Sequence, residues 1–215
     1  MRLAVFDLDG TLVDSRRDLA EAANELLTAC GGTALAEEAV GRLVGDGAAV
    51  LVARVFAAGQ CDPPPDALER FLDIYDGRLL RFTRPYPGIV DALVDIGSRA
   101  TLAVLTNKPI VATRHILEGL GLARFFPPPY VRGGDGPLPR KPDPAGLRAL
   151  MADAGVPVSE TTLVGDSLVD WRTAHAAGAR ACLVRYGFGF EGFPLERLRS
   201  DDVVVDRVSE LPARL

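Results

Sequence analysis

Asp7 and Asp9 stand two residues apart where the apolar run Leu3 to Phe6 ends, and Gly10-Thr11 follows them. Along an extended chain, residues two apart point the same way, so both carboxylates can face one site. If the backbone bends after Asp7, Asp9 can instead offer its backbone carbonyl to the site Asp7 faces. Gly10, with no Cβ, permits a tight turn or a close approach. Two carboxylates at the mouth of a buried strand repel each other and are costly to desolvate, so they need a cation or a proton between them. A hard divalent ion such as Mg2+ suits an all-oxygen site of this kind. The plainer reading is an Asp-rich turn after an edge strand. Taken alone, Asp-x-Asp-Gly fits both.

Three further clusters carry residues of the same character. Thr106 and Asn107 end an apolar run and precede Pro109, a favoured first helical residue. A hydroxyl, an amide and helix-start N–H groups together make an anion cradle. A simple helix cap with Asn107 or Lys108 at its edge accounts for the same residues. Lys141 precedes Pro142-Asp143-Pro144, where Asp143 reads as an N-cap and Pro144 as the first helical residue. Lys141 has no such duty, and a lysine held beside a rigid helix entrance is a suitable point charge for a phosphate and a nearby carboxylate. A solvated surface lysine is the alternative. Gly165-Asp166-Ser167 and Asp170 follow another apolar run. One reading makes Asp166 a metal ligand with Asp170 supporting it. The other makes Ser167 and Asp170 a capping box, which leaves Asp166 unexplained.

Other chemistries find no pattern here. His115 and His175 are the only histidines, so no histidine-based metal site is expected. No serine or cysteine stands in a nucleophile-elbow sequence. Gly41 to Gly47 lacks a Walker lysine and a preceding strand, so it is not a nucleotide-phosphate loop.

The elements that must position these clusters alternate in type. After the first strand, Ser15 to Asp18 reads as a capping box, and Leu19, Ala22, Ala23, Leu26, Leu27 and Cys30 follow helical spacing until Gly31-Gly32. Helical patterns also cover about 37–43, 48–58 and 66–82, which makes 16–82 a helical module. Arg84-Pro85-Tyr86-Pro87-Gly88 punctuates the chain. Strands are then expected at 101–105, 130–131, 161–164, 181–184 and 203–205, and helices at 110–120, 144–154 and 168–177. Alternation of this kind predicts an α/β fold: a Rossmann-like parallel sheet with helices on both faces. The expected division is a core of 1–15 and 83–215, with 16–82 inserted as a helical cap hinged over the sheet. Ligands of such sheets lie beyond the carboxyl ends of the strands, where Asp7, Thr106 and Asp166 all fall.

Of 215 residues, 48% are apolar and 25% charged, as in soluble globular chains of one or two domains. A net charge of -5 argues against a general binder of nucleic acid or of anionic membranes, and any anionic substrate needs a locally positive site. Cys30, Cys61 and Cys182 are too few and too scattered for a disulfide framework or a zinc site, which suggests reduced thiols in a cytoplasmic protein. No apolar run reaches the length of a membrane span, and Asp7 and Asp9 interrupt the N-terminal run, so no secretory signal is expected there. The triple prolines at 63–65 and 127–129 read as rigid loops.

In the order Asp7-Leu-Asp9-Gly-Thr11, Thr106-Asn107, Lys141 and Gly165-Asp166-Ser167-x-x-Asp170, the chain resembles the haloacid dehalogenase superfamily on its phosphatase side. The helical insertion is similar to that family's C1 cap. Val44-Gly-Asp-Gly-Ala-Ala, Leu105-Thr-Asn-Lys-Pro109, and Gly133-Gly134-Asp135 ahead of Arg140-Lys-Pro-Asp-Pro144 look like phosphoglycolate phosphatases.

The resemblance implies Asp7 as nucleophile, forming an aspartyl-phosphate, and Asp9 as the general acid and then base. It implies Mg2+ held by the Asp7 carboxylate, the Asp9 backbone carbonyl and Asp166. Thr106, the Asn107 backbone and Lys141 would bind the phosphoryl oxygens, Thr11 would order the first loop, and Asp170 would support Asp166 or Lys141. The cap loop Gly45-Asp46-Gly47 would read the leaving group of a small phosphorylated metabolite, although a helix–helix turn accounts for Asp46 equally well. A dehalogenase is disfavoured, since that branch lacks the carboxylate of Asp9. A sugar-phosphate phosphatase or a β-phosphoglucomutase-like enzyme shares the core and differs in the cap, and a silent interaction protein is the alternative of another class. The resemblance assigns no oligomeric state.

Overall fold

The computed structural model describes residues 2–215. Its chain runs β1 (Arg2–Phe6), β2 (Val13–Asp14), four helices α1 (Arg16–Ala29), α2 (Glu37–Gly41), α3 (Ala48–Ala58) and α4 (Ala67–Asp76), then β3 (Arg84–Pro85) and α5 (Ile89–Gly97). It continues with β4 (Ala100–Leu105), α6 (Ile110–Gly119), β5 (Val131–Arg132), α7 (Ala145–Ala154), β6 (Thr161–Gly165), α8 (Leu168–Ala177), β7 (Arg180–Val184) and β8 (Val203–Val205). Six strands form one sheet in the order β5-β4-β1-β6-β7-β8, and every pairing in it is parallel.

Residues 3–6 of β1, 102–105 of β4 and 163–164 of β6 are apolar and buried, because both faces of the sheet are covered there. Along β1, Ala4 and Phe6 face one apolar cluster while Leu3 and Val5 face another, the period-two alternation of a strand. The second cluster is closed by Leu147 and Leu150 of α7 and Ala174 of α8. The first takes in Leu93 and Ile96 of α5 and Ile116 of α6, and it extends through Leu19 and Leu26 of α1, Phe56 of α3 and Phe71 of α4. The buried residues of α1 are Asp18, Leu19, Ala20, Ala22, Ala23, Leu26 and Leu27, which include the predicted stripe except for the half-buried Cys30 at its C-terminus. α1 packs against α2 and α4.

Several local expectations are revised. Ser15 stands at the N-cap of α1, but its side chain makes no cap bond and no capping box forms there. Its hydroxyl donates to Asp9 Oδ1 at 2.5 Å, while Asp18 Oδ2 accepts from the Phe82 and Thr83 amides and the Thr83 hydroxyl. Long-range partners took both side chains from the local motif. α4 ends at Asp76, with Gly77 at its C-terminus, rather than reaching 82. α5 is a further helix, beyond those that the alternation of strands and helices predicts. Its 3–4 spacing of Ile89, Ala92, Leu93 and Ile96 was legible, but the Pro-Gly punctuation just before it masked the start. α6 and α7 begin one residue after Pro109 and Pro144, and the first N–H groups are held by Asp135 and Asp143.

β2 and β3 pair antiparallel as a two-stranded ribbon, Val13 opposite Pro85 and Asp14 opposite Arg84. The two passages between the sheet and the four helices therefore run side by side, and Asp18 bonds across them.

Candidate active site

Strand order brings the clusters together. β1 lies between β4 and β6, with Phe6 in register with both Val104 and Val164. Asp7 therefore leaves the sheet flanked by Thr106 on one side and Asp166 on the other, although about 100 and 160 residues of chain separate them. Asp7 N–H still bonds Val164 O at 2.9 Å, and Thr106 N–H bonds Arg132 O at 3.1 Å.

Beyond Asp7 the chain turns. Leu12 and Val13 N–H groups return to Leu8 O, and Gly10 adopts a left-handed conformation at φ 80°. A Cβ on Gly10 would lie 2.0 Å from Asp166 Oδ2, so only glycine leaves room for that carboxylate. The turn separates the two aspartates of the motif. Asp7 Oδ1 accepts from Leu8 N–H at 2.7 Å and pairs with Lys141 Nζ at 2.9 Å. The Asp9 carboxylate is held by the Ser15 hydroxyl and by Lys108 Nζ at 3.0 Å.

Lys141 arrives from the segment ahead of α7 and is buried between Asp7 and Asp170, with its Nζ 2.6 Å from Asp170 Oδ1. Asp170 Oδ2 accepts from the Ser167 amide and hydroxyl, and the capping box of α8 is fully formed. One carboxylate oxygen of Asp170 thus pairs with Lys141 and the other serves the capping box. Asp166 accepts from Gly189 N–H at 2.7 Å and lies 3.4 Å from the Thr11 hydroxyl. Asn107 works through its side chain. Its Oδ1 takes Lys141 N–H and its Nδ2 donates to Lys141 O and to Gly45 O, all at 2.9 Å. One amide thereby fixes the lysine segment and ties it to the loop between α2 and α3. Thr106 Oγ1 accepts from Lys108 N–H at 3.2 Å.

That loop presents backbone to the site. Gly45 and Gly47 line the cleft at positive φ, whereas the Asp46 carboxylate pairs with Arg54 of α3 at 2.6 Å. Lys108, which reads in the sequence as the edge of a helix cap, lines the cleft. It is buried, bonded to Asp9 and to the Tyr75 hydroxyl of α4 at 2.8 Å. Its position beside Thr106-Asn107 was a signal, but its partners lie 33 and 99 residues away in the chain.

Burial shapes the electrostatics. It pushes the Asp7 carboxyl up to about 6 against the pull of Lys141. Burial, then the charges of Asp170 and Asp7, raise Asp166 well above the usual carboxylate range. For Lys141 and Lys108 burial acts downward, but the carboxylates Asp170 and Asp7 at one and Asp9 at the other outweigh it and hold both ammoniums above the ordinary lysine value. Asp7, Asp166 and Asp170 bring ligand oxygens within 4.8 Å of one another, all from buried residues. Lys141 and Ser167 occupy Asp170, and both protein bonds of Asp7 use Oδ1. Asp7 and Asp166 are therefore two carboxylates crowded toward protonation. A hard divalent cation relieves that strain and finds the all-oxygen donors it prefers. The donor set fits Mg2+.

The site opens on a cleft of about 330 Å³ between the sheet and the four helices, with Asp7, Asp9, Thr106, Asn107, Lys108 and Asp166 in its floor and Leu51, Phe71 and Tyr75 in its roof. A buried carboxylate paired with a buried lysine, beside room for a small ligand, is equipment that phosphoryl or acyl transfer can use.

A family model described as haloacid dehalogenase-like hydrolase matches residues 4–184. A phosphoglycolate phosphatase of Rhodospirillum rubrum is 44% identical over 199 residues, covering 88% of this chain and 82% of that one. Another from Agrobacterium fabrum is 38% identical over 217 residues, covering 98% and 91%. A crystal structure described as a predicted phosphoglycolate phosphatase from Haemophilus somnus superimposes with a TM-score of 0.88 at 29% identity, over 98% of this chain and 96% of that one.

Proposed function

The chain belongs to the haloacid dehalogenase-like hydrolases, and from its site we propose a Mg2+-dependent phosphomonoesterase that acts through an aspartyl-phosphate on Asp7, with 2-phosphoglycolate as substrate. The observation that carries the chemistry is the buried chain Asp7–Lys141–Asp170 beside Asp166. The substrate is supported by relatives that bear the name phosphoglycolate phosphatase.

In this reading Asp7 attacks phosphorus and the bond to the leaving oxygen breaks. Asp9 delivers a proton to that oxygen, then takes one from the water that cleaves the phosphorus–Asp7 bond. Lys141 offsets the negative charge that gathers where a carboxylate meets a phosphate. Thr106 and the Asn107 backbone orient the phosphoryl oxygens, while the Asn107 side chain holds Lys141 in place. Mg2+ would be held by the Asp7 carboxylate, the Asp9 carbonyl and Asp166, and when bound it supplies further charge neutralisation at the phosphoryl group. Phosphate monoesters are among the slowest to hydrolyse unaided, with enzymic accelerations up to ~10^21, so every one of these groups is needed.

The reading divides the chain as a core of 1–15 and 83–215 with 16–82 as a cap. The cap would exclude water during the first step, its backbone at Gly45 and Gly47 facing a small phosphorylated metabolite. The cytoplasm is the proposed site of action.

Phosphate release from 2-phosphoglycolate, measured beside sugar phosphates and nucleotides, tests the proposal. Release should require Mg2+, favour 2-phosphoglycolate and vanish in Asp7→Asn. Dominant release from a sugar phosphate sinks the substrate and keeps the mechanism, and an active Asp7→Asn sinks the mechanism.

A further inference from the structure

Five of the charged residues lining the cleft are carboxylates: Asp7, Asp9, Asp73, Asp76 and Asp166. Lys108 is the one basic residue in its lining among the described residues. Away from the phosphoryl end, where Lys141 and a bound Mg2+ would offset Asp7 and Asp166, that lining offers an anionic group no positive charge but this ammonium. Lys108 is buried, so its charge is little screened, and two protein groups fix it in place. Its Nζ lies 3.0 Å from Asp9 Oδ2 and 2.8 Å from the Tyr75 hydroxyl, close over the Tyr75 ring. An ammonium has three N–H donors. Asp9 and Tyr75 take two, and no third acceptor is found among the described residues.

The two lysines divide the site. Lys141 touches Asp7, on the side of attack, and Lys108 touches Asp9, which serves the leaving oxygen. Resting on the phosphatase reading above, we propose that Lys108 is the specificity residue for the leaving group. Its ammonium binds a carboxylate one carbon removed from the ester oxygen, so that the preferred substrates are α-phosphooxy carboxylates. Tyr75 of α4 is the positioning residue that aims it. A carboxylate so placed comes within reach of Lys108 when Asp9 reaches the ester oxygen, because the two groups already touch. Neutral leaving groups of the same length gain nothing there and leave the ammonium to Asp9.

The test compares 2-phosphoglycolate with 2-hydroxyethyl phosphate, its neutral counterpart, as the ratio of their kcat/KM values on the full chain with Mg2+. A hydrogen bond to a charged group is worth enough to lower this ratio roughly 10- to 100-fold in Lys108→Met. Lys108→Arg should keep part of the preference. Tyr75→Phe removes the hydroxyl and keeps the ammonium, so KM for 2-phosphoglycolate should rise roughly 2- to 10-fold with its kcat little changed. Melting curves report whether Lys108→Met is folded, and Tyr75→Phe decides if it is not. A wild-type preference that survives both variants overturns the role of Lys108 and leaves the phosphatase reading intact. A wild type that cleaves both esters equally overturns this inference together with the substrate, and one that cleaves neither overturns the phosphatase reading as well.

Discussion

Asp7 and Asp166 are held by burial in surroundings that favour their neutral forms, with Asp7 pushed up to about 6. A carboxyl whose folded value lies above its unfolded value of 3.8 favours the fold fully below that value and loses the contribution as pH rises through about 6. Asp166 has the same sign. The metal-free protein should therefore lose stability over that window, and a cation that binds the ionised pair should restore it. Melting with and without Mg2+ should show a clear gain at about pH 7.5 and little at about pH 4.5. Equal gains at both pH values would count against Asp7 and Asp166 as ligands. Gly10→Ala forces a Cβ onto Asp166 at a positive φ. It should weaken Mg2+ binding in titrations and cut activity by about 100-fold, the scale of an ångström displacement in a site.

At the scale of elements, one local pattern has two outcomes. Ser-x-x-Asp opens both α1 and α8, and only α8 makes the box. At α1, Ser15 is drawn to Asp9 and Asp18 to residues 82 and 83, since partners from the site and the far side of the ribbon reach both. Asp18 is buried and its loss strands two amides and a hydroxyl. Asp18→Ala should cost about 3 kcal/mol in urea unfolding, more than an ordinary helix cap at about 1 kcal/mol. A loss no larger than a cap would mean that water replaces the carboxylate at the ribbon.

At the scale of the molecule, the four inserted helices pack chiefly on one another, α1 against α2, α3 and α4 and α3 against α4, yet their apolar interior is continuous with that of the sheet layers. Leu19, Leu26, Phe56 and Phe71 from the helices share one apolar cluster with Phe6, Leu93 and Val164 from the sheet layers. Surface shared in this way couples the unfolding of its parts. Calorimetry should give one transition with calorimetric and van't Hoff enthalpies equal. Two resolved transitions would show that the insertion melts alone. The cleft lies between the same layers, so its shape depends on that shared packing.

The amino-acid sequence by itself determined the parallel α/β sheet, most element positions, and the residue types at each strand end, because periodicity, apolar runs and turn residues act over a few positions. It also singled out Asp7, Asp166 and Lys141 as residues without an evident local duty, and left Asp170 between a capping box and a support for Asp166. Tertiary structure alone decided which of them meet. Placing β1 between β4 and β6 put Thr106 and Asp166 on either side of Asp7, and the turn at Gly10 sent Asp9 to Lys108 instead of beside Asp7. Lys108 read as a helix edge because a charge has no visible role until its partners, Asp9 and Tyr75, are brought to it. Local preference is written along the chain; the pairing of charges in a low-dielectric interior depends on distances that only the folded chain sets.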